Sequence, residues 1–309
     1  MIMKKHILIT GATGMIGNEL VKALQKEGHT IAVLSRKRVK IKDAQVYLWD
    51  VYRQKIDAGC LDHVDTIVHL AGENVAGKKW TRERKQQIID SRVLSTQLLY
   101  KTIRETPNQV KDFVAASAVG YYGDCGEEIL TEDSNNGYGF LAECCEKWEN
   151  AVDKGKDLNL RVVKIRTGFV LKRDDGGLAA MDKPIRFFVG APLGTGQQWV
   201  PWIHIKDIIR IYLFAISNPD MQGAYNACAP YPVTNKTLTK AIAHTLNRPV
   251  WPIRVPETAL TAILGEMSTV ALMSTNTSAQ KLLDSGFTFN FTQLDTALKD
   301  IYNAADFTE

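Results

Sequence analysis

Near its start the sequence reads Ile7-Leu8-Ile9-Thr10-Gly11-Ala12-Thr13-Gly14-Met15-Ile16-Gly17. A short run of β-branched and apolar residues ends at Gly11, and helix-favouring sequence follows from about Met15 to Lys26. Three closely spaced glycines between a strand and a helix are typical of a dinucleotide-binding turn. The stretch therefore predicts that the chain starts a parallel α/β fold around a phosphate-binding loop.

Each glycine of this turn has a separate use. Gly11 lets the backbone turn sharply, Gly14 lets it approach a pyrophosphate, and Gly17 lets the helix pack close to the strand. The helix N-terminus then offers unpaired N–H groups and partial positive charge to the phosphates. The spacing is GxxGxxG rather than GxGxxG, and an ordinary turn without a ligand is the alternative. The predicted cofactor contacts in the turn are Gly11, Thr13, Gly14, Met15, Ile16 and Gly17.

The end of the second predicted strand indicates which dinucleotide binds. Residues 30–34 form that strand, and Ser35-Arg36-Lys37-Arg38 follows it. An acidic residue about 20 positions after the glycine turn would bind a free ribose 2′-hydroxyl. Arg36 stands there instead, and its guanidinium fork suits a 2′-phosphate. A solvated basic loop is the alternative, but the position favours NADP(H) over NAD(H), with Ser35 and Arg36 at the adenosine.

Composition bounds the class of protein. The chain has 309 residues, of which 45% are hydrophobic and 23% charged, with a formal net charge of +4. This charge is too small to indicate nucleic-acid binding, and no apolar run approaches the roughly 18 residues that span a bilayer. Five cysteines without a CxxC or histidine cluster indicate neither a disulfide framework nor a metal site. Residues 1–5 lead directly into the first strand, so we expect no signal peptide and a cytoplasmic location.

Strands and helices alternate through the first half of the chain, which predicts a parallel sheet with helices on both faces. The fold class is therefore α/β: a Rossmann-like doubly wound parallel sheet with a smaller C-terminal lobe that covers the substrate. Further strands are predicted at 45–49, 66–70, 113–117 and 161–166, and long helices at 82–104 and 140–153. The cofactor contacts expected at the strand ends are Asp50, Leu70, Ala71, Gly72, Glu73 and Ala116.

The second half of the sequence is predicted to contribute segments to two domains. Residues 1–171 plus 203–230 are predicted to form the NADP-binding domain, and 172–202 plus 231–309 the substrate lobe. Residues 172–202 are rich in Gly and Pro and dense in Trp and Phe, which is typical of ordered irregular structure. Asp207 is predicted to cap the helix that follows residues 202–206.

Together these residues resemble the extended short-chain dehydrogenase/reductase superfamily, and more narrowly its epimerase-like family with a C-terminal segment called DUF1731. The resemblance covers nearly the whole chain and implies an NADP-binding fold, with the DUF1731-like tail at about 250–305. It implies less about the reaction. The motifs that carry it are Thr10 to Gly17, His69-Leu70-Ala71-Gly72-Glu73-Asn74, Ser91-Arg92, Ser117-Ala118-Val119-Gly120-Tyr121-Tyr122-Gly123, Phe140-Leu141-Ala142-Glu143, Gly194-Thr195-Gly196 with Trp199 to His204, and Gly265 to Phe289.

The superfamily catalyses hydride transfer with a Ser and a Tyr-x-x-x-Lys pair. The resemblance implies that Ser117 binds the substrate oxygen, although a strand-end hydroxyl without a catalytic role is the alternative. No Tyr-x-x-x-Lys follows Ser117. In the family's register Leu141 replaces the Tyr and Cys145 the Lys, and in the only register with a Tyr, Tyr138 is followed by Ala142. Neither register supplies the cation, so catalysis would need other groups.

Three residues are candidates to replace the missing pair. The resemblance places Arg92 beside the nicotinamide, where the superfamily often has Asn; a surface arginine is the alternative. Cys145 could be a thiol donor, or a thiolate if Arg92 lowers its pKa, but a helical Cys is more often a small core residue. Tyr121 or Tyr122 could supply a phenol, and aromatic packing is the alternative for both. His204, within an apolar stretch, is interpreted as structural.

Two functions remain open. One is an NADP(H)-dependent oxidoreductase or epimerase that acts on a nucleotide-sugar-like or other small carbonyl substrate. The other is a catalytically reduced NADP(H)-binding sensor that reports the cofactor's state to a partner. Both predict a small-molecule site, no nucleic-acid or membrane partner, and a monomer or homodimer.

Overall fold

The computed structural model describes residues 4–303, so the predictions for residues 1–3 and 304–309 lie outside the described chain. The strands are β1 His6–Thr10, β2 Thr30–Ser35, β3 Ala44–Asp50, β4 Lys55–Ile56, β5 Thr66–His69, β6 Asp112–Ala118, β7 Ile129–Leu130, β8 Arg161–Thr167, β9 Phe169–Leu171, β10 Trp199–Val200, β11 Trp202–His204, β12 Gly223–Ala227, β13 Val233–Thr234 and β14 Asn276–Thr277. The helices are α1 Met15–Lys26, α2 Arg82–Glu105, α3 Phe140–Asp153, α4 Gly176–Arg186, α5 Ile205–Ser217, α6 Asn235–Thr245, α7 Glu257–Leu264, α8 Thr269–Leu272, α9 Gln280–Asp284 and α10 Leu294–Asn303. Short 3-10 helices span Val119–Tyr122, Lys154–Leu158 and Gly265–Ser268.

An eight-stranded sheet forms the centre, in the order β12-β8-β6-β5-β1-β2-β3-β4. Its strands are parallel except β4, which runs antiparallel to β3 at the edge. The central strands β1 and β5 are buried on both sides, as strands of a doubly covered parallel sheet must be. The α/β, Rossmann-like class predicted from the alternating elements is confirmed.

Helices cover both faces of the sheet. On one face α1 and α5 pack over side chains such as Ile9 and Ile165. On the other face α2 and α3 pack over Phe113 and Val162 through residues such as Leu98. Because successive residues of a strand point to opposite faces, each strand contributes to both cores.

The order in which the chain adds strands to the sheet reverses at β1. It continues from β1 to β2 and β3 on one side, while β5 pairs with the other side of β1 and aligns Thr10 with His69. Such a reversal leaves a crevice outside the carboxyl ends of the strands, where α/β sheets bind ligands. The predicted cofactor residues of the glycine turn and of residues 70–73 therefore lie at the crevice between β1 and β5.

A third core lies under the later segments of the chain. Helices α4, α6 and α10 pack around Trp202, Leu238 and Leu298, all three of which are fully buried. The tail also pairs with the first half, because β14 runs parallel to β7.

Asp207 does not cap α5, and this prediction was wrong. The cap is His204, whose Nδ1 accepts the main-chain N–H of Lys206 at 3.0 Å. Asp207 is fully buried in the first turn, and its carboxylate accepts the N–H groups of Asn290 and Phe291 at 3.0 and 2.9 Å. It therefore ties the tail to the sheet domain.

We expect Asp207→Ala to lower the free energy of unfolding by about 2–4 kcal/mol, because it leaves two main-chain donors of the tail without an acceptor. Urea and thermal unfolding followed by circular dichroism would measure the loss. The exposed Asp220→Ala is the control and should change stability by no more than about 0.5 kcal/mol. A similar small change for both variants would contradict the role given to Asp207.

Candidate cofactor and active site

The glycine turn has the shape that a pyrophosphate requires. Gly11 has φ +70°, and its carbonyl oxygen accepts the N–H of Gly14 at 3.0 Å. A Cβ on Gly17 would lie 2.2 Å from that same carbonyl oxygen, so any other residue would push α1 away from β1. Gly14 is the N-cap of α1 and provides no side-chain cap, which leaves the first N–H groups of the helix available to an anion. The turn therefore fits a dinucleotide phosphate.

The opposite wall of the crevice is the loop after β5. The main-chain N–H groups of Leu70 and Ala71 both donate to the Thr10 hydroxyl at 3.1 Å. A Cβ on Gly11 would lie 2.8 Å from the Leu70 carbonyl carbon, so the two backbones are in close contact. The structure thus brings the predicted residues of the turn and of the 70–73 loop together.

The ends of β2 and β3 border a groove. A groove of about 570 Å³ is lined by Arg36, Asp50, Trp49 and Leu98, among others. The Arg36 side chain is 72% exposed, and its Nη1 donates to Glu73 at 2.6 Å. Ser35 accepts the N–H of Lys37 in the turn that follows β2. Arg36 and Asp50 therefore line the same groove, and the cofactor contacts assigned to them from the sequence stay predictions.

A buried hydrogen-bond chain that the sequence did not reveal holds the crevice together. His69 Nδ1 lies 2.8 Å from Thr10 Oγ1, and its Nε2 lies 3.0 Å from Ser95 Oγ. Since Thr10 already accepts two N–H groups, its proton goes to Nδ1, and Nε2–H donates to Ser95, whose own proton goes to the Ser91 carbonyl. Burial, followed by the Arg92 charge, lowers the pKa of His69 to about 3, so the ring is neutral at physiological pH. The sequence signal for this role was a histidine directly after the apolar residues Ile67 and Val68 of β5.

Arg92 is a fixed positive charge beside this loop. A Cβ on Gly72 would lie 3.0 Å from its Cζ, so the guanidinium rests on the glycine backbone. Its Nη1 donates to the carbonyls of Glu73 and Ile88, and its Cζ lies 4.9 Å from the Trp148 ring centre. Within residues 4–303, the recorded hydrogen bonds of this guanidinium all use Nη1. Nη2 and Nε remain available to a ligand.

Ser117 belongs to a buried ion pair. Its hydroxyl donates to Glu149 Oε1 at 2.7 Å, and Arg166 holds both oxygens of that carboxylate at 2.8 and 2.9 Å. Burial alone would raise the pKa of Glu149, but Arg166 and Lys164 lower it below its usual value. The Ser117 proton is therefore committed to a carboxylate, and its lone pairs remain. The sequence analysis missed Glu149 and Arg166, although a charged residue within the apolar run of β8 was a visible signal.

The two tyrosines after Ser117 differ in environment. Tyr122 is fully buried, donates to Asn226 Oδ1 at 2.7 Å and accepts from Arg166, which makes it structural. Tyr121 is only half-buried, and the Arg166 guanidinium stacks on its ring with Cζ 3.6 Å from the ring centre. Of the pair, Tyr121 is the one whose phenol has no recorded hydrogen bond in the described chain.

Segments of the predicted lobe touch the crevice from outside. A Cβ on Gly176, at the start of α4, would lie 3.3 Å from Met15 Sδ of the glycine turn. From the tail, Glu266 forms an ion pair with Lys85 of α2. Both contacts are compatible with a lobe that covers a bound cofactor.

Comparison with known proteins identifies the family. The model of the NAD-dependent epimerase/dehydratase family matches residues 7–228, and that of the domain of unknown function DUF1731 matches 255–301. The chain belongs to the NAD-dependent epimerase/dehydratase family. The resemblance inferred from the sequence motifs, including the DUF1731 tail, is confirmed.

Individual relatives in this family cover the whole fold. An epimerase family protein of Mycobacterium leprae is 34% identical over 296 residues, which are 96% of this chain and 95% of that protein. The crystal structure of human epimerase family protein SDR39U1 with NADPH has a TM-score of 0.86 and 29% identity, and the match covers 96% of this chain and 99% of that chain. A nucleoside-diphosphate sugar epimerase from Corynebacterium glutamicum has a TM-score of 0.78 and 35% identity, over 96% of this chain and 57% of that chain.

This family member lacks the Tyr-Lys pair in the folded structure as well. Leu141 and Cys145 face Gly120, where an added Cβ would lie 3.3 Å from Leu141 Cβ and 3.8 Å from Cys145 Sγ. Burial raises the pKa of Cys145 to about 12, so the predicted thiolate alternative is not supported. Tyr138 precedes α3 and is 98% exposed, while Ala142 is buried.

Residues 4–303 contain neither a cluster of metal-ligand side chains nor a helix suited to span a membrane. Within residues 4–303, no three His, Cys, Asp or Glu side chains are grouped closely enough to hold a metal ion. No helix in that part of the chain combines the length and apolar character needed to cross a membrane.

We expect the neutral, buried His69 to make stability depend on pH. Its ring takes up a proton below about pH 6.5 in the unfolded chain but only near pH 3 in the folded one. The stabilisation is thus complete above pH 6.5 and is lost as pH falls, by about 2 kcal/mol between pH 6.5 and 5. Urea unfolding of His69→Gln across this range should show a shallower pH dependence by that amount. The exposed His244→Gln should keep the wild-type slope, and equal slopes for all three proteins would contradict the assignment.

Proposed function

We propose that this protein is an NADP(H)-dependent oxidoreductase or epimerase of the extended short-chain dehydrogenase/reductase type. The observation that carries the choice of cofactor is Arg36, a basic residue at the end of β2 in a groove shared with Asp50. A human relative crystallised with NADPH supports the same choice.

The residues of the crevice would hold the cofactor in three places. The uncapped N-terminus of α1, with Gly14 at its start, would bind the pyrophosphate. Arg36 would bind the 2′-phosphate, and Asp50 the adenine side of the groove. The backbone of Leu70 to Gly72 would border the ribose. The bound nicotinamide would supply the capacity to accept or give a hydride.

The chain's own groups would orient the substrate. Within residues 4–303, Arg92 Nη2 and Nε have no recorded hydrogen bond, because the contacts to Glu73 and Ile88 use Nη1. These two nitrogens would donate to a substrate oxygen on which negative charge develops, and such a preorganised cation stabilises that charge electrostatically. Because the Ser117 proton is donated to Glu149, Ser117 would accept a hydrogen bond from a substrate hydroxyl. A nucleotide-sugar-like or small hydroxyl–carbonyl compound fits this pair, and the name of the Corynebacterium relative supports it.

A catalytically reduced NADP(H) sensor is the second candidate, and a specific observation favours it. In the family's register Leu141 and Cys145 replace the acid–base pair, and Cys145 is buried with its pKa raised to about 12. Loss of a general acid–base group usually costs a factor of about 10²–10⁴ in rate. A sensor would bind NADPH tightly, turn over no substrate, and bind its partner differently with and without the cofactor.

Arg36→Asp should weaken NADPH binding at least about 30-fold and leave NADH binding unchanged, because it removes a charge-assisted contact to the 2′-phosphate alone. Fluorescence titration of the reduced cofactors would measure both affinities. Arg38→Asp makes the same charge change two residues away and should have a much smaller effect. Unchanged NADPH affinity in Arg36→Asp would exclude the proposed site.

Arg92→Ala should lower NADPH oxidation, measured over a panel of carbonyl compounds, far more than it lowers cofactor affinity. The expected rate loss is about 10²–10³, as for other groups that stabilise developing negative charge. Arg92→Lys should recover part of the rate, and Ser117→Ala should also be slow. Equal losses in rate and affinity would mean that Arg92 only binds the cofactor, and no turnover by the wild type on any compound would favour the sensor.

A further inference from the structure

Glu73 forms ion pairs with two arginines that differ in solvent exposure. Its Oε1 accepts from Arg36 Nη1 at 2.6 Å, and its Oε2 accepts from Arg84 Nη1 at 3.0 Å. The Arg36 side chain is 72% exposed and that of Arg84 is 11% exposed. One carboxylate is therefore shared by an exposed surface cation and a mostly buried one.

The local backbone fixes the Glu73–Arg84 half of this cluster. Arg84 Nη2 also donates to the Asn74 carbonyl at 2.7 Å, and the Glu73 N–H donates to Ser91 Oγ at 2.9 Å. For Arg36, the recorded side-chain hydrogen bond within residues 4–303 is the one to Glu73. A ligand that competes for Arg36 would thus displace one exposed contact and leave Arg84 in place.

We propose that Glu73 competes with the ligand's 2′-phosphate for Arg36, and that Arg84 keeps this competition weak by neutralising Glu73. The proposal rests on the NADP(H) function proposed above and identifies Glu73 and Arg84 as residues that set the affinity for the phosphate. A phosphate that contacts Arg36 comes within a few ångströms of a carboxylate bonded to the same guanidinium. That separation is well inside the Debye length of about 8 Å at physiological salt, so the two anions repel each other.

Arg84 is the more buried of the two cations that hold Glu73. Its hydrogen bond, followed by the hydrogen bond and charge of Arg36, lowers the pKa of Glu73 below its usual value, so the carboxylate is ionised at neutral pH. When Arg36 turns to a phosphate, Arg84 alone compensates the Glu73 charge. The proposal therefore predicts effects of opposite sign for the two residues, with the Arg84 effect acting through Glu73.

The test measures the 2′-phosphate contribution directly by calorimetric titration with adenosine 2′,5′-bisphosphate and with adenosine 5′-monophosphate, which lacks only that phosphate. Glu73→Gln should tighten the bisphosphate about three- to tenfold, and Arg84→Gln should weaken it about tenfold. Neither should change the monophosphate more than about twofold. In the Glu73→Gln background, Arg84→Gln should have almost no effect.

Matched controls are available on the neighbouring helices. Glu143→Gln removes a surface carboxylate that pairs with Lys147 of α3, and Arg104→Gln removes an exposed charge from the last turn of α2. Both should leave the affinity ratio of the two nucleotides unchanged. If Arg84→Gln does not fold, the Glu73→Gln measurement alone tests the sign of the effect.

The outcomes separate this proposal from the proposed function. A wild-type protein that binds both nucleotides equally, or neither, would overturn the NADP(H) assignment and this inference with it. A wild type that prefers the bisphosphate, with Glu73→Gln binding it more weakly or unchanged, would overturn this inference alone, because Glu73 would then position Arg36. An Arg84→Gln loss of the same size in both backgrounds would also overturn it, because Arg84 would then bind the phosphate itself.

Discussion

The hydroxyl of Thr10 is the contact on which the crevice depends. It accepts the N–H groups of Leu70 and Ala71 and lies 2.8 Å from His69 Nδ1, so its full hydrogen-bonding capacity is used in one fully buried position. These bonds fix the end of β1 against the end of β5. With the backbones in contact at Gly11, no side chain can enter between the glycine turn and the opposite loop. The opening that remains is bordered by main-chain groups, which suits a phosphate-bearing ligand.

The carboxylates of Glu149 and Glu73 each pair with two cations, but the two clusters differ in burial and therefore in role. Glu149 is 4% exposed, is held by Arg166 through two hydrogen bonds and lies 3.2 Å from Lys164, so removal of Glu149 would leave two buried cations without this carboxylate. Glu73 also joins two cations, but its contact to Arg36 lies at the surface, where an ion pair contributes little and exchanges readily. The buried cluster can therefore fix Ser117 permanently, and the exposed one can yield to a ligand.

Features with local determinants could be predicted from the sequence, and features that join distant segments could not. The glycine turn and helix α3 follow from residues within a few positions of one another, and both were found where predicted. The contact between Glu149 and Arg166 depends on which helix covers which strand, and no local pattern encodes it. Asp207 was assigned as a cap because Asp is preferred there. Its partners are main-chain groups 83 and 84 residues away, which local preference cannot reveal.

Because the Tyr-Lys pair is missing, a reaction in this crevice would need another proton donor. The Arg92 guanidinium offers hydrogen-bond donors and a positive charge, so its role is to stabilise negative charge. Burial raises the pKa of Cys145 to about 12, and the Ser117 proton is held by ionised Glu149. Tyr121, in contrast, is partly exposed, and its phenol has no recorded hydrogen bond in residues 4–303. A reaction in this site would therefore take its proton from Tyr121, from water, or from a hydroxyl of the substrate itself.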